Sequence, residues 1–251
     1  MERQTAERHG FSMKTTVIVL AAGQGKRMKS SVHKQYLLIR EHPVLYYALK
    51  TFEESFVDEV ILVTGKTEIE YCREQMVEKY GFRKVAAIVE GGRERYHSVY
   101  AGLQEAERGA KRPDYVMIHD GARPFVDQAM LKRAYETVQT CHACVIGMPV
   151  KDTIKLADGS GFAVQTPPRD RVWAVQTPQV FEYNLIYGAY TRLIQEEDDL
   201  LARGIRITDD AMVVETYTDI PVKLVEGSYE NIKITTPEDL KIAEAFLERS
   251  Q

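Results

Sequence analysis

Val17-Ile18-Val19-Leu20-Ala21-Ala22-Gly23-Gln24-Gly25-Lys26-Arg27-Met28, with Lys34 a few residues further on, is the stretch from which the fold can be read. Its four leading residues are apolar and mostly β-branched, the composition of a strand buried on both faces of a parallel sheet. The alanines and glycines behind them leave the backbone bare, so a ligand can lie directly against the main chain. Gly23 and Gly25 permit φ > 0, which lets successive N–H groups turn inward on an anion, and Arg27 and Lys34 add cations beside it. The pattern predicts a polyphosphate site. It is not a Walker loop, which needs GxxxxGK and then Ser or Thr, nor a dinucleotide fingerprint, because Met28 stands where a third glycine belongs. A bare GxG after a strand is equally the mark of a plain tight turn, so the support has to come from downstream.

The chain has 251 residues, 44% hydrophobic and 28% charged, with a formal net charge of −4. That length suits one α/β domain with an appendage. The charge gives no hint of a nucleic-acid surface, so anionic substrates must be met by local cations. No apolar run approaches the ~20 residues of a membrane span. Residues 1–12 are polar and do not read as a secretory signal; we expect a flexible extension there, with Met13 a candidate start and residues 13–251 a single domain. Three cysteines, Cys72, Cys141 and Cys144, form no disulfide framework and favour a reducing cytoplasm. Cys141-His142-Ala143-Cys144 has CxxC spacing but no second ligand pair, which favours ordinary thiols over a zinc or redox site.

Strand and helix alternate after the first loop. Pro43 to Glu53 is predicted helical, Val60 to Thr64 a strand, Glu68 to Tyr80 a helix ending at Gly81, and Lys84 to Val89 a strand. A helix from about Glu94 to Glu107 then precedes the strand Tyr115 to His119, and a helix Gln128 to Gln139 precedes the strand Cys144 to Met148. The alternation predicts a mainly parallel sheet with helices on both faces. The rhythm breaks between Val150 and Trp173. There Thr153 to Leu156 and Gly161 to Val164 read as two strands of a hairpin joined through Ala157 to Ser160, with an Asp-Gly turn signal. A two-stranded ribbon does not easily stabilise itself in water, so residues 150–172 are expected to form an arm packed on a second copy of the chain; folding back on its own domain is the alternative. Beyond it, Tyr183 to Glu196 is predicted helical, Ile205 to Ile207 a short segment, Pro221 to Val225 and Ile232 to Thr235 strands, and Pro237 to Arg249 a closing helix.

In open parallel sheets ligands gather beyond the carboxyl ends of the strands, and four of those ends are chemically loaded. The first is the loop from Gly23 to Lys34. The second, Gly91-Gly92-Arg93-Glu94-Arg95-Tyr96-His97-Ser98, offers main-chain donors and acceptors to a flat base, or is simply a strand-to-helix turn. The third, His119-Asp120-Gly121-Ala122-Arg123-Pro124, supplies Asp120 as a candidate Mg²⁺ ligand, with a salt bridge to Arg123 as its plainer role. The fourth, around Glu226-Gly227 and Asn231-Ile232-Lys233, brings Lys233 on a strand that can rejoin the sheet, although a solvated lysine is the plainer reading. Together these groups suit attack by an oxygen nucleophile on the α-phosphorus of a nucleoside triphosphate, where fixed cations meet the charge that develops. A phosphate monoester nucleophile needs no general base, and no histidine is assigned to acid or base chemistry.

In order along the chain, Ala21-Ala22-Gly23-Gln24-Gly25-Lys26-Arg27-Met28 through Lys34-Gln35-Tyr36, Gly91-Gly92 with Arg95 and Ser98-Val99, His119 to Pro124, Val150-Lys151-Asp152-Thr153, Gln176-Thr177-Pro178-Gln179, Thr208-Asp209-Asp210-Ala211, and Glu226-Gly227 through Lys233 resemble the 2-C-methyl-D-erythritol 4-phosphate cytidylyltransferase family. The resemblance covers nearly the whole chain from Met13. It implies a Rossmann-like nucleotidyltransferase with a protruding β-arm, a homodimer clasped by its arms, and a Mg²⁺-dependent reaction of CTP with methylerythritol phosphate in isoprenoid biosynthesis. It also implies residue roles. Arg27, Lys34, Arg169 and Lys233 would be catalytic. Ala21, Ala22, Gly23, Gly25, Gly92, Arg95 and Ser98 would bind the nucleotide, Asp120 the metal, and Arg123, Thr153 and Thr177 the methylerythritol phosphate, which Lys233 would also grip. Thr153 and Arg169 would reach over from the partner, with Arg171 a rival for Arg169. His33 stands where the family usually has proline, which predicts a more mobile or slightly pH-sensitive loop, and Arg93 replaces a common Asp. A sister family acting on ribitol 5-phosphate, and a non-catalytic nucleotide-sensing module on the same fold, are the competing readings.

Overall fold

A computed structural model describes residues 13–23 and 33–249. The expected extension at residues 1–12, and Gly25 and Arg27 in the opening loop, lie outside the described residues. In chain order the elements are β1 (Thr15–Leu20), a 3₁₀ turn (Lys34–Tyr36), a small ribbon of β2 (Leu38–Ile39) and β3 (His42–Pro43), α1 (Val44–Glu53) and β4 (Glu59–Thr64). The segment predicted as one amphipathic helix is composite: a 3₁₀ turn (Lys66–Glu68), α2 (Ile69–Cys72) and a π-helical stretch (Arg73–Glu78). Next come β5 (Val85–Glu90), α3 (Arg95–Arg108), β6 (Tyr115–Asp120), α4 (Gln128–Cys141) and β7 (Ala143–Pro149). The last part holds β8 (Leu156–Ala157), β9 (Ala163–Gln165), β10 (Trp173–Glu182), α5 (Tyr183–Gln195), α6 (Glu197–Ala202), α7 (Asp210–Tyr217), β11 (Lys223–Glu226) and α8 (Pro237–Arg249).

Seven strands form the central sheet in the order β11-β7-β10-β6-β1-β4-β5. All neighbours pair in parallel except β10, which runs antiparallel between β6 and β7. Alternate residues of the inner strands feed two cores. Val17, Val19, Leu62, Met117 and Ile146 pack under α1 and α4, while Ile18, Val63, Val116, Ile118 and Phe181 pack under α3, α5 and α7. This is the two-sided apolar strand that the opening stretch predicts. Gly102 lets α3 lie close on the sheet, since a Cβ there would meet Ile18 Cγ2 at 2.6 Å.

The structure corrects the sequence reading at several places. β10 was not predicted, and neither were α6 and α7. Ile232 to Thr235 is not a strand: Ile234 N donates to Ala122 O (2.8 Å), and Ile232 and Ile234 pack on Ile39, Val44 and Ala243 with no ladder neighbour. The hairpin is present but shorter and displaced. Its turn is closed by Asp158 N to Phe162 O (2.9 Å), with Gly161 at φ +87°, a conformation that favours glycine. Among the described residues β8 and β9 pair only with each other, and both stay exposed rather than folding back on the chain's own sheet.

The chain passes from β1 outward to β4 and β5, then returns across the sheet to β6. The strand order therefore reverses between β1 and β6, where an open α/β sheet places its crevice.

Candidate active site

Backbone hydrogen bonds pin the loaded loops to one edge of the sheet. Ala21 N donates to Val63 O (2.6 Å), Gly91 N to Thr64 O (2.8 Å) and Gly121 N to Leu20 O (2.9 Å). Beyond these strand ends lies a cleft of about 740 Å³ lined by Ala21, Ala22, Gly23, Lys34, Gly92, Arg95, Ser98, Asp120 and Lys233, among others. Four segments far apart in sequence are thus brought together as expected. Arg123 sits just behind the wall, and its guanidinium Nη1 donates to Asn231 O (2.8 Å). Gln35 Nε2 donates to Ala21 O at 2.5 Å, which ties the turn carrying Lys34 to the end of β1. His33 lies against the Glu68 carboxylate.

The 91–98 turn is built by close approach. A Cβ on Gly91 would meet Ala22 Cβ and Ser98 Oγ, each at 2.7 Å, and Gly92 N donates to Ser98 Oγ (3.1 Å). Only glycine lets this backbone approach so closely, and Gly92, Arg93, Glu94, Arg95 and Ser98 line the cleft.

Asp120, in register with Leu20 across the switch point, is the electrostatic centre. Lys233 Nζ lies 2.7 Å from its Oδ2; Arg123 Nε and Arg95 Nε approach to 3.7 Å. Burial by itself would raise the carboxyl, but Lys233, then Arg95 and Arg123, hold it well below the usual carboxylate range. Arg95 is committed elsewhere as well: its Nη1 and Nη2 donate to the two oxygens of buried Asp210 (2.6 and 2.7 Å), which also accepts from Tyr190 OH (2.5 Å). Burial works against this guanidinium, and Asp210 more than offsets it. Three cations against two carboxylates leave the cluster net positive, with Lys34 on the same cleft.

Other expected residues fall elsewhere. Thr177 is buried, its hydroxyl accepting from Asp120 N (3.1 Å) and facing His119 Nδ1 (3.1 Å), so it orients Asp120 and does not line the cleft. Thr153 and Arg169 are exposed near the arm, Arg169 Nη1 donating to Lys151 O (3.2 Å), and neither lines this chain's own cleft. Sequence reasoning gave no role to Asp210. The signal was there: Asp209 is an N-cap whose side chain accepts from Met212 N (3.0 Å), and an N-cap predicts the helix that buries Asp210.

His119 is fully buried beneath the cluster, with Nε2 donating to Arg123 O (3.0 Å) and Nδ1 accepting from Thr177. Burial pushes it down to about 4, only partly opposed by the Arg123 carbonyl. An unfolded histidine titrates near 6.5, so between about pH 6.5 and 4 the unfolded chain binds the extra proton and stability falls as pH falls, by up to about 3 kcal/mol. The low Asp120 carboxyl adds its own loss only below about pH 4. Unfolding midpoints from pH 7.5 to 4.5 should therefore drop steeply in the parent and less steeply in His119→Gln. Equal slopes would remove His119 as the cause.

The comparisons with known proteins agree over most of the chain. A family model for 2-C-methyl-D-erythritol 4-phosphate cytidylyltransferase matches residues 15–249. The protein of that name from Lachnoclostridium phytofermentans is 50% identical over 238 residues, covering 95% of this chain and 98% of its own. Its counterpart from Lachnospira eligens is 51% identical over 234 residues, covering 92% and 98%. Among solved structures, 4-diphosphocytidyl-2C-methyl-D-erythritol synthase from Anaerococcus prevotii is similar with a TM-score of 0.78 and 33% identity, covering 94% of this chain and 96% of that one. The Thermus thermophilus cytidylyltransferase follows at a TM-score of 0.71 and 29% identity, covering 94% and 100%.

Proposed function

The chain belongs to the 2-C-methyl-D-erythritol 4-phosphate cytidylyltransferase family, a nucleotidyltransferase of isoprenoid biosynthesis, and on that premise we propose how its cleft divides the work of joining CTP to methylerythritol phosphate. The observation that carries the assignment is the cation cluster on Asp120, facing Lys34 and the bare Ala21–Gly23 backbone across the switch point. In the reaction a phosphate oxygen of methylerythritol phosphate bonds to the α-phosphorus of CTP. The α–β bridging P–O bond breaks, and pyrophosphate departs with the electron pair. The attacking monoester, with a second pKa of about 6, is already anionic near neutrality, so no base has to be recruited. The barrier lies in crowding anions together, and Lys34, Lys233 and Arg27 offset it. Lys233 exchanges Asp120 for the phosphate oxygens on which charge builds as the acceptor attacks. The 91–98 turn and Ala21–Gly23 take cytosine and ribose by main-chain contact, whereas Arg123, expected on the acceptor phosphate, is held behind the wall on Asn231 O and acts through Asp120.

Asp120 is the residue that fits Mg²⁺. Its carboxylate lines the cleft, is held ionised, and has Arg95 Nε 3.7 Å from Oδ1. Among the described residues no trio of His, Cys, Asp or Glu forms an all-protein cage. A single carboxylate suits an ion that keeps its waters and nucleotide oxygens. When bound, Mg²⁺ supplies charge neutralisation on the triphosphate.

The functional unit is a homodimer. Leu156, Phe162 and Val164 on the ribbon are 47%, 73% and 65% exposed, apolar surface that a second copy of the chain covers, while Thr153 and Arg169 enter the partner's cleft. Buried free thiols at Cys72 and Cys144 and two cytosolic-type phosphate substrates suit a cytoplasmic enzyme, with neither nucleic acid nor membrane as partner. Pyrophosphate release from CTP should be fastest with methylerythritol phosphate. Faster turnover with ribitol 5-phosphate would reassign the acceptor, and release with neither would leave a nucleotide-sensing module.

A further inference from the structure

Glu197, the first residue of α6, is tied to the turn that faces the nucleotide. Tyr96 OH donates to its Oε1 (2.6 Å), Arg93 Nη2 donates to the same oxygen (3.2 Å), and His97 Nε2 lies 3.0 Å from Oε2. All three partners belong to the turn and first helical residues that open α3. His97 is held at both ends of its ring, because Nδ1 accepts from Glu94 N (3.2 Å), the donor left open at the start of α3. The proton therefore sits on Nε2, pointed at Glu197. Burial and then Glu197 push the Tyr96 phenol up to about 12, so it remains a donor at working pH.

On its outer side this turn packs through Tyr96 on the core that holds Leu193 and Leu200. Between it and α6 lies a cavity of about 430 Å³, walled by Arg93, Tyr96, Glu197, Leu200 and Ile205 among others. Beside that cavity one carboxylate gathers three side chains of the turn. On the inner side the same residues present Gly92, Arg93 and Ser98 to the cleft.

We propose that Glu197 is a positioning residue for the nucleotide: by gathering Arg93, Tyr96 and His97 it sets the 91–98 wall at the distance that the base of CTP requires. The inference rests on the cleft being the CTP site. Glu197 touches neither substrate nor reacting phosphorus, so it acts on nucleotide affinity and not on the chemical step.

Glu197→Gln is nearly isosteric. It keeps an acceptor for Tyr96 and Arg93 but turns an NH₂ group toward the Nε2–H of His97. Steady-state rates should show KM for CTP rising about tenfold, the worth of one lost charge-assisted bond, with kcat and KM for methylerythritol phosphate within about twofold of the parent. Tyr96→Phe removes a second bond without disturbing α6, and should raise KM for CTP in the same selective way. The double variant should show less than the summed effect, because both changes loosen one turn. Unchanged KM for CTP in both variants overturns the inference. So does a rise in both KM values accompanied by a lower unfolding midpoint, which marks a merely structural contact. If Glu197→Gln does not fold, Tyr96→Phe alone decides between these outcomes. A parent enzyme that releases no pyrophosphate from CTP overturns the reading of the cleft itself, a failure seen before any variant is made.

Discussion

Lys233→Ala is expected to lower kcat by about a hundred- to a thousandfold, roughly 3–4 kcal/mol of transition-state stabilisation, while CTP still binds within a few-fold of the parent. Its ammonium is 2.7 Å from Asp120 Oδ2, and its side chain is 38% exposed and lines the cleft. It is the most accessible of the three cations on Asp120. Arg95 is locked on Asp210 and Arg123 on the Asn231 carbonyl, so neither can follow the phosphate as its charge shifts. Among the described residues Arg95 and Arg123, each at 3.7 Å, still face Asp120 when Lys233 is removed, which limits the loss of CTP binding to a few-fold. Lys233→Arg should recover part of the rate, since the charge returns while a bulkier, planar head fits the Asp120 geometry poorly. Equilibrium binding of CTP measured beside single-turnover rates separates the two effects. A fall in kcat smaller than about tenfold, or a loss confined to CTP affinity, would take Lys233 out of the chemical step.

What the sequence makes legible here follows from how far each signal reaches. The run Val17 to Leu20 declares a doubly buried strand, and the alternation through Met148 declares the parallel sheet, because hydrophobic period and turn residues are local properties. β10 is hidden by its own chemistry. Its apolar ends, Trp173 to Val175 and Val180 to Phe181, are split by Gln176-Thr177-Pro178-Gln179, and proline inside a run argues against a central strand. The sheet accommodates Pro178 because the register with β7 shifts between Val175 and Gln179, so no ladder bond is needed from it. The opposite error occurs at Ile232 to Thr235, whose alternating isoleucines reach a core but have no strand beside them; extended pattern and ladder pairing are separate things. At the site, the residues on strand ends were readable because the fold fixes where strand ends lie. The Arg95–Asp210 pair was not, since it joins residues 115 positions apart through a helix that periodicity had not revealed. Thr177 shows the same limit: its motif is visible in sequence, but that its hydroxyl serves Asp120 and His119 is a property of the folded contacts alone.

The arm predicts the other large effect. If Arg169 and Thr153 complete the partner's cleft, each active centre takes Lys34 and Lys233 from one protomer and Arg169 from the other. Lys34→Ala and Arg169→Ala homodimers should then each lose at least about a hundredfold in turnover, because every site in either lacks one cation. Mixed and allowed to exchange subunits, the two inactive variants should regain activity. A mixed dimer carries one site with both substitutions and one with neither, and random exchange makes half of the dimers mixed, so recovery should approach about a quarter of the parent rate. The geometry of the described chain makes this a sharp test. Arg169 is exposed, donates through Nη1 to Lys151 O, and does not line the described wall of its own cleft, so a purely intramolecular role gives no recovery on mixing. Arg171→Ala mixed with Lys34→Ala decides between the two neighbouring arginines, since only the one that crosses to the partner complements. Phe162→Asp, placing a charge on the most exposed apolar side chain of the ribbon, should shift the parent toward monomer in sedimentation and lower the rate in proportion. A stable, fully active monomer would show the arm to be an appendage with no part in catalysis.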